Sequence, residues 1–306
     1  MTFGAMFHHF HDAGMHRRGQ GSLSADGFRA LLGNLSSEHN ILVPGDYVER
    51  ARAGALSADD ICLSFDDALL CQYDVAVPVL DEFGIKAFFF VYSSIFTDTP
   101  DSLELYRDFR NASFDDIEDF YRVFFEELAQ RLPRAQCRYA DTYPADYLAD
   151  FGFYTDNDRR FRFVRDQVLT QGEYDHLMTD MMDRVGYPRE ERKAQLWMTA
   201  QHVAELDAAG HEIGLHSHSH PMQMRMLDRA AQEAEYRLNR RMLGDICGRP
   251  PRTMSHPCGS YNDDTLDVLR NLGIVLGFRS NMSPVHGGSL WEMPREDHAN
   301  LMHRAT

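Results

Sequence analysis

Two adjacent carboxylates, Asp66 and Asp67, close a short run, Ile61-Cys62-Leu63-Ser64-Phe65. Far along the chain three histidines, His216, His218 and His220, alternate with serine behind a second apolar run, Ile213-Gly214-Leu215. Each cluster alone has an ordinary explanation: Asp pairs after strands are usually solvated turns or helix caps, and histidine-rich turns usually lie on the surface. Together they supply carboxylate oxygen and imidazole nitrogen, the donor types of a metal site. Two imidazoles with one carboxylate leave coordination positions open for water, the arrangement of catalytic rather than structural zinc. The other carboxylate is then free to act as a base. Side-by-side burial of two carboxylates raises one pKa steeply unless a cation or hydrogen-bond donors compensate, so a buried pair needs such partners.

The elements that must position these groups read as α/β. Alternation along a strand would place His216, His218 and His220 on one side, whereas a helix would pair only His216 with His220. Gly214 before and Pro221 after argue against a helix, and spacing alone does not choose which two histidines bind. A first strand over Phe3–Phe7 runs into His8-His9-Phe10-His11-Asp12. Ser24 caps a helix through Leu32, a short strand covers 41–43, and helical turns cover 47–53. After Asp67, a helix over 73–83 stops at Gly84 and feeds the strand 85–92, apolar on both faces. Strand, helix and fully apolar second strand imply a parallel βαβ unit.

From about Thr97 the texture changes. Residues 114–128 carry apolar side chains at helical spacing, and Tyr, Arg and Asp dominate the stretch after residue 128. We read 97–195 as a mostly helical insertion or lid within a single domain spanning 1–306. Its aromatic stripe reads as its own core, although Phe151-Gly152-Phe153-Tyr154 and the Arg159–Arg165 run are candidates to face the site. The α/β pattern resumes at Met198 with a helix over 199–209, a strand over 211–216, a helix over 227–243, a helix over 263–272 and a strand over 274–278.

Composition narrows the function classes. With 306 residues, 43% of them hydrophobic, the chain can bury a proper core. No run approaches the roughly 20 apolar residues that span a bilayer, and the amino terminus shows no secretory pattern. The five cysteines are scattered without a CxxC pair, which suits reduced thiols and a cytoplasmic location. A formal charge of −16 opposes binding to nucleic acid or anionic membranes.

Three ordered segments carry a family resemblance. Ser64-Phe65-Asp66-Asp67-Ala68, then Gly210 through Pro221, then Pro257-Cys258-Gly259-Ser260-Tyr261 resemble the first three motifs of the polysaccharide deacetylases, the NodB-homology or carbohydrate esterase four family. The match runs over residues 1–96 and 196–300. It implies a distorted (β/α) barrel of fewer than eight strands and a metal-dependent N-deacetylation of an acetamido sugar. By position, Asp67, His216 and His220 would hold a divalent metal, most simply zinc. Asp66 would be the general base, and a backbone N–H of the 257–260 turn would help bind the oxyanion.

The departures from the family pattern define further expectations. Ala68 stands where the family usually has Gly, and Ser255 where it has an Arg that orients the base. Arg295, in Pro294-Arg295-Glu296-Asp297, resembles a late segment of one branch and is expected to replace that Arg. For the acid that protonates the departing amine, Leu301-Met302-His303 matches the family's Leu-x-His in letters, and His286, His298 and His8 are alternatives. His8 is favoured because it follows Met6-Phe7 as a family Tyr-His does on the first strand. The activity implied is removal of an acetyl or formyl group from an amino sugar or an activated or lipid-linked glycan. The alternatives are hydrolysis of a cyclic ureide or other non-sugar amide, and a catalytically inactive glycan-binding protein.

Overall fold

Strand β3, Asp60–Asp66, is buried along its whole length, and its alternation divides two cores. Cys62 faces inward with Phe88, Phe90, Leu276 and Phe278, closed by Tyr47 and Ala51 of the helix Pro44–Arg52. Phe65 faces outward, stacked on Phe89 at 4.7 Å and on Phe7 at 5.2 Å, and Phe7 meets Phe28 of the helix Ala25–Glu38 at 5.1 Å. An apolar layer on each side of the strands is what a parallel sheet wrapped by helices requires. The structure is a computed structural model describing residues 2–149, 154–285 and 288–304, the last two in backbone only.

The remaining strands are β1 Phe3–Phe7, β2 Asn40–Ile41, β4 Phe88–Val91, β5 Glu212–Leu215, β6 Thr253–Ser255, β7 Leu276–Phe278 and β8 Arg295–Asp297. All pairings are parallel, in the order β7-β6-β5-β4-β3-β1-β8, with β2 beside β3 off this path. A parallel bridge between Phe278 and Met293 brings the chain entering β8 back onto β7 and nearly closes the ring. The fold is therefore the distorted (β/α) barrel, with seven strands on the path. Gly214 shows how tight the interior is: a Cβ there would lie 2.5 Å from the Phe90 ring.

The differences from the sequence reading have local causes. The helix expected from residue 47 begins at Pro44, whose missing N–H costs nothing in a first turn. The helix expected over 73–83 starts as a π-helical turn, Gln72–Ala76, and becomes α-helical at Val77; Pro78 removes one backbone donor at that junction. The apolar strand shortens to Phe88–Val91 because the Ile85 N–H returns to the Leu80 carbonyl.

The chain divides into two compact units, 1–101 with 195–306, and 102–194. Among its described residues the second unit is helical. Phe109, Phe120, Tyr121, Phe124, Phe161 and Tyr174 form its buried aromatic core. Residues 150–153, which include most of the aromatic segment singled out in the sequence, lie outside the described residues.

Candidate active site

Parallel strands in a barrel deliver their carboxyl ends to one face, and β3 ends there with Asp66. Both of its carboxylate oxygens receive N–H bonds of 2.7 Å from the guanidinium of Arg295, the first residue of β8. Arg295 is 0% exposed and Asp66 2%. The guanidinium also donates to the Arg279 carbonyl at 2.6 Å, and Gly4 leaves room for its stem. Burial alone would raise the Asp66 carboxyl, but the charge of Arg295, followed by those of His216 and His8, holds it below the usual carboxylate range.

The next residue turns away from the strand. Asp67 has φ +76 and Ala68 φ +51, conformations that an L-residue adopts only under local constraint. The bonds Asp67 N–H to Phe90 carbonyl (3.1 Å) and Met198 N–H to Ala68 carbonyl (2.8 Å) hold the turn. Ala68 thus stands in a backbone conformation that favours glycine. Ser217 (φ +62), His220 (φ +53) and Cys258 (φ +52) share it, so three separate loops at this end of the barrel hold left-handed residues.

The strand geometry that would place three histidines together ends at Leu215. After it, Ser217 and His220 bend the chain so that His216 and His220 converge, ring centres 4.9 Å apart. His218 is turned elsewhere: its Nδ1 lies 2.9 Å from the Ser93 hydroxyl. Glu235, on the helix Arg229–Cys247, accepts the N–H groups of His218 and Ser219 at 2.9 and 2.8 Å and pins the loop. The Nδ1 of His216 faces the Ser255 carbonyl at 2.9 Å and hydroxyl at 2.8 Å, which assigns the proton to Nδ1 and leaves the Nε2 lone pair towards Asp67. The His216 N–H bonds Asn239 Oδ1 at 3.1 Å, and Asn239 Nδ2 bonds the Val91 carbonyl at 3.0 Å.

The donor atoms of Asp67, His216 and His220 lie within 4.8 Å of one another, and all three residues are buried. Asp67 Oδ1 is 3.4 Å from the Nε2 of each histidine, yet it is a buried oxygen that accepts no hydrogen bond. Leaving a buried carboxylate oxygen unsatisfied is costly. Arg295 balances one of the two carboxylates, so with neutral imidazoles the cluster carries one net negative charge. Burial works upward on the Asp67 carboxyl, but the surrounding imidazoles hold it well below the usual range. Burial works downward on His216, and Asp66 and Asp67 outweigh it, raising its pKa. A group of this kind fits a divalent cation: one carboxylate oxygen, two imidazole nitrogens, and a charge deficit.

Of the candidate acids, the structure brings His8 to the site, its Nε2 3.9 Å from Asp66 Oδ2 and its side chain 28% exposed. His298 is committed elsewhere, with Nε2 2.9 Å from the Gly21 carbonyl and its ring stacked on Phe7. His286 and the side chain of His303 lie outside the described residues. In the turn expected to bind an oxyanion, the N–H groups of Gly259 and Ser260 already donate to the His256 and Pro257 carbonyls, at 3.0 and 2.9 Å.

The sequence reading missed three supporting residues. Gln72 is 0% exposed, and its amide donates to the carbonyls of His8 (2.8 Å) and Asp66 (2.6 Å), tying the ends of β1 and β3. Asn239 and Glu235 are the other two. Their only sequence signal was a polar residue on the inward stripe of an otherwise amphipathic helix.

A sequence model of the polysaccharide deacetylase family matches residues 176–277. That stretch holds His216, His220 and the Pro257–Tyr261 turn, and excludes Asp66, Asp67 and Arg295. No curated protein matches the chain in sequence. Solved structures do resemble it. The Streptococcus pyogenes deacetylase PplD in complex with acetate is 15% identical with a TM-score of 0.56, covering 96% of this chain and 90% of that one. IcaB from Ammonifex degensii is 14% identical (TM-score 0.54, 96% and 90% covered). The BpsB deacetylase domain from Bordetella bronchiseptica is 15% identical (TM-score 0.53, 96% and 95% covered). At these identities the likeness establishes the fold.

Proposed function

We propose, taking as premise that this chain resembles the polysaccharide deacetylases in fold and in the sequence of residues 176–277, that it is a metal-dependent hydrolase removing an N-acyl group, acetyl or formyl, from an amino sugar of a glycan. The observation that carries the reading is the buried Asp67 oxygen, unsatisfied by hydrogen bonds and flanked at 3.4 Å by two imidazole nitrogens. Asp67, His216 and His220 would hold the ion, and zinc suits a set of one oxygen and two nitrogens. Bound there, a divalent ion supplies Lewis-acid polarisation of the acyl carbonyl and lowers the pKa of water.

The chain's own groups divide the remaining work. Asp66 is kept ionised by Arg295, and its Oδ2 lies 3.9 Å from Nε2 of His216, beyond the 3.4 Å of Asp67 Oδ1. It is placed to take the proton of an attacking water. Arg295 fixes the plane of that carboxylate by two parallel bonds, a function Ser255 cannot perform and which the family pattern would assign to that position. Ser255 instead orients His216. His8, reached by solvent on one side and by Asp66 on the other, is placed to return a proton to the departing amine.

The test combines metal analysis with turnover. Purified protein should contain close to one equivalent of a divalent ion and release acetate or formate from a panel of acetamido and formamido sugars, free and nucleotide-linked. Asp66→Asn should retain the metal and lose turnover by about 100- to 10,000-fold, the usual worth of a general base. Full activity in metal-free protein, or an Asp66→Asn variant near wild-type rate, would refute the assignment.

A further inference from the structure

The helical unit, residues 102–194, contains a cation with no anion paired to it among the described residues. Arg110, on the helix Leu103–Ser113, holds its guanidinium carbon 5.0 Å from the ring centre of Phe161 and 5.6 Å from that of Phe120. Both rings are 0% exposed. The Nε of Arg110 is buried and donates no hydrogen bond, and among the described residues no carboxylate pairs with the side chain. Neighbouring arginines are treated differently: Arg159 pairs with Asp156, Arg162 lies 3.8 Å from Asp158, and Arg165 makes two bonds to Asp166 at 2.5 and 3.0 Å.

Arg165 approaches the same ring as Arg110, its guanidinium carbon 5.8 Å from the Phe161 centre. Two guanidinium groups therefore converge on one phenylalanine, Arg165 balanced by Asp166 and Arg110 not. Arg165 is carried by a π-helical turn, Val164–Val168, a distortion found frequently at functional sites. Burial is the largest influence lowering the Arg110 pKa, and the charges of Arg165 and Arg107 add to it. The residue is nevertheless partly exposed, so solvent reaches part of it although its Nε is buried. Tyr121 and Tyr174 complete the surroundings.

A guanidinium cannot shed its proton to escape burial, as a lysine or carboxyl can. Contact with two aromatic faces offsets part of the cost, and an oxyanion accepting two parallel N–H bonds would offset more. In a chain of net charge −16 acids are abundant, yet this arginine faces other arginines and aromatic rings. We propose that the helical unit carries an oxyanion-binding recess in which Arg110, supported by Arg165, receives a carboxylate or phosphate group of a small molecule.

Thermal unfolding of the intact protein tests this, titrating inorganic phosphate and, separately, glucuronate, each against sodium chloride at equal ionic strength. The expected result is a rise in Tm beyond that of chloride with at least one oxyanion; the one that responds identifies phosphate or carboxylate as the group. Arg110→Met should abolish the rise, and without ligand it should unfold at or above the wild-type temperature because the uncompensated charge is gone. Arg165→Met and Arg110→Lys should weaken the response at least about tenfold, the first because it leaves the Asp166 carboxylate unbalanced nearby, the second because two-pronged recognition is lost. No oxyanion effect beyond chloride, or an undiminished effect in Arg110→Met, overturns the proposal. Should Arg110→Met fail to fold, wild-type half-saturation in both Arg165→Met and Arg110→Lys overturns it.

Discussion

Replacing Arg295 by Met strips Asp66 of its counter-charge while retaining much of the side-chain volume. Arg295 is 0% exposed and Asp66 2%, and the two are joined by paired bonds of 2.7 Å. The aliphatic stem of Met can keep its place beside Gly4, while the guanidinium contact with the Phe90 ring, 5.7 Å, is lost. What it cannot do is satisfy a buried carboxylate, for which the remaining local donors are few. Breaking a buried pair from one side typically costs about 3–5 kcal/mol, whereas removing both partners in favour of apolar groups is close to neutral. Arg295→Met should therefore lower stability by about 3–5 kcal/mol, and Asp66→Leu with Arg295→Met should recover most of that, a coupling on the order of 3 kcal/mol. Urea unfolding in the presence of a chelator reads these values without a contribution from metal linkage. A loss of less than about 1 kcal/mol, the worth of a surface pair, or strict additivity in the cycle, would refute the claim that Arg295 is what allows Asp66 to be buried as an anion.

Local geometry yields two further outcomes. Ala68→Gly, at φ +51, should stabilise the protein by roughly 0.5–1 kcal/mol in urea unfolding, the relief of left-handed strain less the added freedom of the unfolded chain; a loss of stability would contradict the strain. His211 is 1% exposed, with Nδ1 accepting the Ala87 N–H at 3.2 Å, and burial lowers its pKa from 6.5 to about 4. Its neutral form belongs to the folded state, so this contribution is complete above pH 6.5 and lost as pH falls through about 4, up to roughly 3 kcal/mol. His211→Asn, which keeps an acceptor but cannot titrate, should flatten the stability profile across that window; an unchanged profile would assign the acid sensitivity to other groups.

The parts of the site legible in the sequence were those whose chemistry is contiguous. Asp66-Asp67 and the alternating histidines announce themselves because charged and imidazole groups directly follow apolar strands. The choice between His218 and its neighbours was not legible from spacing, because it depends on left-handed backbone at Ser217 and His220 and on a serine from another loop, Ser93. Arg295 could be nominated only through a resemblance of its flanking residues; nothing in its local pattern reveals that β8 lies beside β1 and brings it to Asp66. Gln72 and Asn239 went unread for a different reason. Each is a single polar residue in a helical stretch, where a solvated face is the ordinary expectation, and only the folded chain shows both at 0% exposure with their amides bonded to strand ends. The parallel α/β pattern was readable from the apolar run 85–92, but ring closure through the bridge of Phe278 to Met293 was not, since Met293 lies in a stretch without strand periodicity.

The proposed function requires one divalent ion held by Asp67, His216 and His220 while Asp66 stays unligated beside it. Anomalous diffraction at the zinc edge from crystals grown with zinc measures this directly. The expected result is a single strong peak bonded to one oxygen of Asp67 and one nitrogen each of His216 and His220 at about 2.0–2.2 Å, with His218 on Ser93 and Asp66 still paired with Arg295. A peak that recruits Asp66 or His218 as a ligand, or lies away from this cluster, would contradict it.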